Sequence, residues 1–422
     1  MIEQPNLTPV IESKESSEAE QLRAIESLPW EADVKQDIAL FILGRKPAVN
    51  IGGYLNFNLE DELKNEEVKR NFEALKNMCG RFGFHFNIQS FDYVENVKRI
   101  SMLISHDRET LNKAVDAESG GDEKTLGLLM GYPQSAVDAY GTNQAFIWED
   151  ELAQAEKEKL IAENLLPFLQ FMPSKGHREE EFDWARTNRD LIKQKAPKLF
   201  GEIVGEYQKN LFDQKRKELE EITDALGKKI EPLILDSCVV FNVSGFNTSN
   251  SCEGHGEKGS THSPWPFVSI EAPNEPEEHF VGETESFQKE CKRRGADFDE
   301  PYHGLPEDVY WGIKRRLSEG EETEEYKEWQ KKNRELVQKI TALIRQFYES
   351  RDSVADHVRI KEPNKGGIFD VSSASEEEKR KYIQGKMDEK SREESVAFLL
   401  ERRKEMMAFT DWLKKKYLLG EV

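Results

Sequence analysis

Hydrophobic positions along the chain switch between helical and strand periods, and the switches outline the fold. Trp30 to Leu43 carries apolar groups at helical spacing and stops at Gly44, ahead of the breaker pair Lys46-Pro47. A second helical stretch, Asp61 to Cys79, stops at Gly80. Phe84-His85-Phe86-Asn87-Ile88 then alternates with the period of two of a half-buried strand, and Ile100 to Ile104 follows as another strand after a polar turn at Asn96. Ser105 or Asp107 is placed to cap the next helix. Between Asp122 and Gly141, Leu126, Leu129 and Met130 share one helical face, and Pro133 suits the first turn of another helix that buries Ala136, Val137 and Tyr140. The two short helices meet at the corner Gly131-Tyr132-Pro133.

Farther on, Glu149 to Leu169 reads as a helix ended by Pro173, and Ser174 as the cap of a helix carrying Phe182 and Trp184. Glu206 to Leu226 is a charged helix; Ile230 to Asn242 is an apolar one ended by Gly245. Asn247 to Ser251 and Phe267 to Glu271 read as strands on either side of a loop from Cys252 to Pro266. Val358 to Ile360 and Ile368 to Val371 flank a turn at Pro363 to Gly367, the pattern of a hairpin. Glu321 to Glu349 sets Trp329, Leu336, Ile340, Leu343 and Phe347 at helical spacing. Capping-box spacing at Ser375…Glu378 and Ser391…Glu394 marks two further helix starts, the last helix bearing Leu399, Met406, Phe409, Leu413 and Tyr417 on one side.

The pattern predicts an α+β protein of two domains, 26–205 and 206–422, the second a small, mostly antiparallel sheet covered by helices. Residues 1–25, rich in Glu, Ser and Pro, are expected to form a disordered acidic tail.

Composition narrows the function classes. The 81 Asp and Glu outweigh the 60 Lys and Arg by 21 charges, a field that opposes non-specific binding to nucleic acid. No apolar run approaches the roughly eighteen residues of a membrane span, and the N-terminus lacks a secretory pattern, so a soluble cytoplasmic protein without membrane association is expected. Cys79, Cys238, Cys252 and Cys291 are too few and too far apart for a disulfide framework.

The candidate chemistry lies in Asn247 to Ile270, NTSNSCEGHGEKGSTHSPWPFVSI. Cys252 and His255, two residues apart in a glycine-rich loop, have the spacing of a zinc knuckle, with His262 as a third ligand and a small polar substrate at an open position. Alternatively Cys252 is a nucleophile with His255 or His262 as its base, although Glu253 and Glu257 oppose a free thiolate. In a third reading the loop has no chemistry and takes a ligand through Thr248, Trp265 and backbone amides, or is a stiffened connection alone. In the first half, Ser174, Lys175 and His177 put hydrolase-type groups into one loop, while Arg45, His85 and His106 are scattered.

Two stretches carry resemblances. Gly245, Thr248, Ser251, Cys252, Gly254, His255, Pro266 and Val268 resemble a strand-loop motif of uncharacterised prokaryotic and phage proteins. The same stretch more faintly resembles the Ser-Cys-Ser-Gly-Arg loop of the wybutosine-forming methyltransferase family, which implies transfer-RNA modification as a remote function, with His255 standing where that family has arginine. Gly131-Tyr132-Pro133 resembles a glycine-tyrosine-proline motif of a family of unknown function, whose paired cysteines are replaced here by Ser135 and Ala136.

Overall fold

The structure, a computed structural model, describes residues 17–56, 62–94, 97–145, 160, 163–223, 227–254, 265–298, 304–351, 358–361, 367–374 and 391–421. It is α+β, with two antiparallel sheets among many helices. The chain divides into two compact units, Met1–Gln208 with Leu418–Gly420, and Lys209–Tyr417 with Glu421–Val422.

In the first unit β1 (Ala48–Asn56), β2 (His85–Val94) and β3 (Val97–Ser105) form a three-stranded sheet in the order β1-β3-β2. Ala48 and His85 both lie opposite Ser105. Because side chains alternate across a strand, Val49, Ile51, Met102 and Ile104 enter the main core with Phe41, Leu75 and Phe182. Helices α1 (Glu18–Glu26), α2 (Ala32–Ile42) and α3 (Glu62–Phe82) supply much of that core. The opposite face carries Ala48 and Leu103, packed against Leu111 and Ala114 of α4 (Arg108–Gly120) and against Met130.

Several expectations shift. Strand β1 was not legible, because Gly52-Gly53 interrupts its alternation and weakens strand propensity. Helix α3 runs through Gly80, and Gly83, at φ +73°, closes it instead. Residues 18–25, expected in a disordered tail, belong to helix α1, where Leu22 and Ile25 are buried; residues 1–16 lie outside the described residues. Of Glu149 to Leu169, residues 149–159, 161 and 162 lie outside the described residues, and Leu166–Phe168 is a single 3₁₀ turn. Asp107 rather than Ser105 caps α4, its carboxylate accepting the Thr110 N–H at 2.8 Å. The corner helices α5 (Glu123–Leu129) and α6 (Gln134–Ala139) form as expected, with Ala136 and Val137 buried, but Tyr140, expected to be buried with them, is exposed. Helix α7 (Arg178–Lys195) is preceded by His177, not Ser174, at its cap.

A long helix, α8 (Pro197–Glu221), contains the division between the units. The second unit holds β4 (Thr248–Cys252), β5 (Phe267–Ile270), β6 (Arg359–Lys361) and β7 (Phe369–Ser372), antiparallel in the order β4-β5-β7-β6. The β6–β7 pair is the expected hairpin, although residues 362–366 of its turn, like Ser375, lie outside the described residues. Helix α9 (Pro232–Val243) buries apolar groups around most of its circumference, including Leu235, Val239 and Phe241. The stripe Leu399, Met406, Phe409, Leu413 and Tyr417 of the last helix (Ser391–Leu418) is core, as its spacing implied. Phe409 meets Phe347 edge-on at 5.3 Å and Phe241 at 6.2 Å. Phe347 lies on the helix Glu324–Glu349, where Trp329 donates its indole N–H to the Ala272 carbonyl at 2.8 Å.

Candidate functional site

The cysteine loop begins where β4 ends. Cys252 pairs with Phe267 across the strands and is 6% exposed, and its Sγ accepts the Gly254 N–H at 3.4 Å. Gly254 has φ +84°, and a Cβ there would lie 2.8 Å from the Trp265 carbonyl carbon and 2.9 Å from Leu399 Cδ1. The two ends of the loop therefore touch backbone to backbone, a closeness only glycine permits. Arg403 donates to the Glu253 carbonyl at 2.9 Å, to the Glu253 carboxylate at 3.3 Å and to the Gly254 carbonyl. Glu253 in turn accepts the Leu233 N–H in the first turn of α9 at 3.3 Å. The base of the loop is thus pinned, while His255 and His262 lie outside the described residues. Thr248 is partly committed: its hydroxyl accepts from Asn242 at 2.6 Å. Trp265 is half-buried. Burial raises the neighbouring Cys238 thiol to about 11, partly offset by a hydrogen bond with Ser251. Among the described residues no three His, Cys, Asp or Glu side chains form a metal-binding group.

The hydrolase-type groups of the first unit do not assemble. Ser174 is buried, and both its hydroxyl and its N–H donate to Glu181, at 2.8 and 2.6 Å. His177 faces Glu180 at 3.4 Å, and His106 is stacked on Phe41 with a centroid separation of 4.0 Å. Arg45 donates to the buried Asn188 at 2.8 Å.

What the sequence did not disclose is a cleft of about 800 Å³ in the first unit. Its floor is the second face of the sheet. Ala48 and Leu103 at one end of that face are packed with α4, whereas Asn50 of β1 and Arg99 of β3 line the opening. Asn50 is held by Glu118, which accepts its amide at 2.9 Å, and its own oxygen accepts from Ser101 at 2.7 Å. Its walls are the Gly-Tyr-Pro corner, helix α6 and residues 169–172.

The corner is fixed by contact rather than by propensity. A Cβ at Gly131, where φ is +76°, would sit 2.5 Å from the Arg45 carbonyl oxygen. Beneath it Lys46, 1% exposed, pairs with Asp37 at 2.5 Å, and its ammonium stands 5.2 Å from the centre of the Tyr132 ring. Burial, then the charge of Asp37, pushes the Tyr132 phenol well above its ordinary range. Tyr132 continues through Phe171, at 5.7 Å, to Trp184, at 5.1 Å from Phe171. Glu181, fully buried, also accepts from Ser135 at 2.6 Å and so ties α6 to α7. The sequence signals that could have pointed here are the corner itself and Lys46, which follows a capped helix end and has Asp37 nine residues before it.

The lining is more apolar than polar, and one of its polar atoms is unsatisfied. Gln170 Oε1 is buried without a hydrogen-bond partner among the described residues. At the rim, Tyr140 is 54% and Met172 40% exposed. Among the described residues that line the cleft there is no Ser, Thr, Cys or His. No family model, curated protein or solved structure matches this chain.

Proposed function

We propose that the protein binds a small organic molecule in the cleft of its first unit, with recognition rather than bond chemistry as the task of that site. The observation that carries this is the buried, unpartnered amide oxygen of Gln170 in the wall of a cleft of about 800 Å³. A volume of several hundred Å³ suits a drug-sized ligand, and a buried polar atom without a partner costs roughly 1–3 kcal/mol unless something supplies one. Exposed rings and thioethers at the rim, such as Tyr140 and Met172, are the surfaces that apolar ligand bodies cover. Met130 and Met172 are two of eight methionines and both line the cleft. Methyl-labelled methionine NMR with a panel of ring-bearing fragments tests the proposal. Shifts concentrated on Met130 and Met172 are expected; a panel that leaves both methyls unmoved would remove it.

One observation favours a second reading, a zinc site at Cys252, His255 and His262. The Gly254 N–H donated to Cys252 Sγ stabilises the thiolate, the form that ligates metal. Metal analysis of untagged protein decides the matter: about one zinc per chain, lost in Cys252→Ala, supports it, and zinc-free protein ends it.

A further inference from the structure

Charge in the same cleft narrows the ligand class, on the premise that the cleft is the binding site. Arg99 lines the opening and has no ion-pair or hydrogen-bond partner among the described residues. Its guanidinium lies along β1 at Gly52, with Nε and Nη2 3.8 and 3.9 Å from where a Cβ would stand, so the missing side chain leaves it room over the strand. An unpaired guanidinium at a cleft presents a planar fork of donors that matches a carboxylate. Asp37 lines the cleft as well. Its Oδ1 takes Lys46, its Oδ2 has no partner among the described residues, and its side chain is 25% exposed. Among the described residues the cleft therefore carries one unpaired cation, Arg99, and one carboxylate, Asp37, that is already paired with Lys46 through one oxygen and presents the other; Gln170, Tyr132 and Phe171 line the same cleft.

We infer that the cleft takes a zwitterionic amino compound with an aromatic or aliphatic body, a free amino acid or a short peptide, whose carboxylate meets Arg99 and whose ammonium meets Asp37. The surroundings disfavour the singly charged alternatives. A purely anionic ligand is opposed at range by a chain of formal charge −21 and leaves the second oxygen of Asp37 without a donor. A purely cationic ligand is opposed by Arg99 and leaves it unpaired. A zwitterion carries no net charge into that field and satisfies both groups. The Gln170 amide serves either end, since an amide turned by half a rotation exchanges acceptor for donor.

Calorimetry on the full chain with L-phenylalanine, phenethylamine, 3-phenylpropionate and the dipeptide Gly-Phe tests the class. The methionine methyls of Met130 and Met172 report where each compound binds. L-phenylalanine or Gly-Phe is expected to bind at least tenfold more tightly than either singly charged analogue, and the stronger of the two identifies the source as free amino acid or peptide. Arg99→Gln, at a half-exposed position, is expected to remove that advantage by weakening the zwitterion while phenethylamine, whose charge Arg99 opposes, binds no more weakly than before. Equal binding of an analogue carrying one charge, or full zwitterion affinity in Arg99→Gln, overturns the inference. If neutral aromatic fragments move both methyls while no zwitterion binds, the inference fails and the binding cleft stands; if nothing moves them, both fall.

Discussion

Gly131 and Arg45 meet backbone to backbone: the space a side chain would need at Gly131 is taken by the Arg45 carbonyl oxygen, 2.5 Å from an ideal Cβ. That single approach seats the Gly-Tyr-Pro corner over Lys46 and gives the cleft its wall. Gly44, by contrast, has a similar φ of +70° and nothing within 4 Å.

The pair predicts a graded response. Gly44→Ala meets only the left-handed backbone penalty, roughly 1–2 kcal/mol. Gly131→Ala adds a backbone clash, so its loss of stability in urea unfolding is expected to be clearly larger and to move the Met130 methyl. Equal losses would show that the corner is not held by this contact.

Lys46 and Asp37 form a pair with one member fully buried. Removing only the carboxylate strands a buried ammonium, a change that costs about 3–5 kcal/mol when a buried pair is broken. Asp37→Asn is expected to be the most destabilising single change, and Asp37→Asn with Lys46→Met to recover much of the loss. A double variant as unstable as the sum of the singles would exclude the coupling.

Glu181 gathers two hydroxyls and one backbone N–H in a fully buried position. Glu181→Ala leaves those donors without their acceptor, at about 1–3 kcal/mol or more, and Glu181→Gln keeps part of the set. The expected order of melting temperatures is wild type, Gln, Ala. Reversal of the two variants would contradict the assigned role.

Burial pushes the Cys79 thiol up from 9.0 to about 12. The native state keeps this proton to a higher pH than the unfolded chain does, so the contribution is whole below about 9 and declines as pH rises from there through about 12. Cys238, raised to about 11, acts in the same direction. Stability measured by denaturant should fall across that window, and Cys79→Ala should flatten the fall by an amount on the order of a few kcal/mol at its upper end. An unchanged slope would show that Cys79 ionises as freely as in the unfolded chain.

Local pattern by itself determined much of the architecture. Helical spacing located the stripe from Leu399 to Tyr417, the corner helices around Gly131-Tyr132-Pro133 and the helix bearing Trp329 and Phe347, because those periods follow from side-chain direction within one element. Alternation located β2 and β5 for the same reason, while apolar runs beside turn residues located β3 and the β6–β7 hairpin. Only tertiary structure decided β1, whose Gly52-Gly53 breaks the alternation, and the closing of α3 at Gly83 rather than Gly80. It alone disclosed the cleft: Asp37, Asn50, Arg99, Tyr132 and Gln170 come from five separate segments, and nothing in their sequence spacing records that one sheet face brings them together. Periodicity reports which side of an element is apolar, whereas a binding site is a property of how distant elements pack.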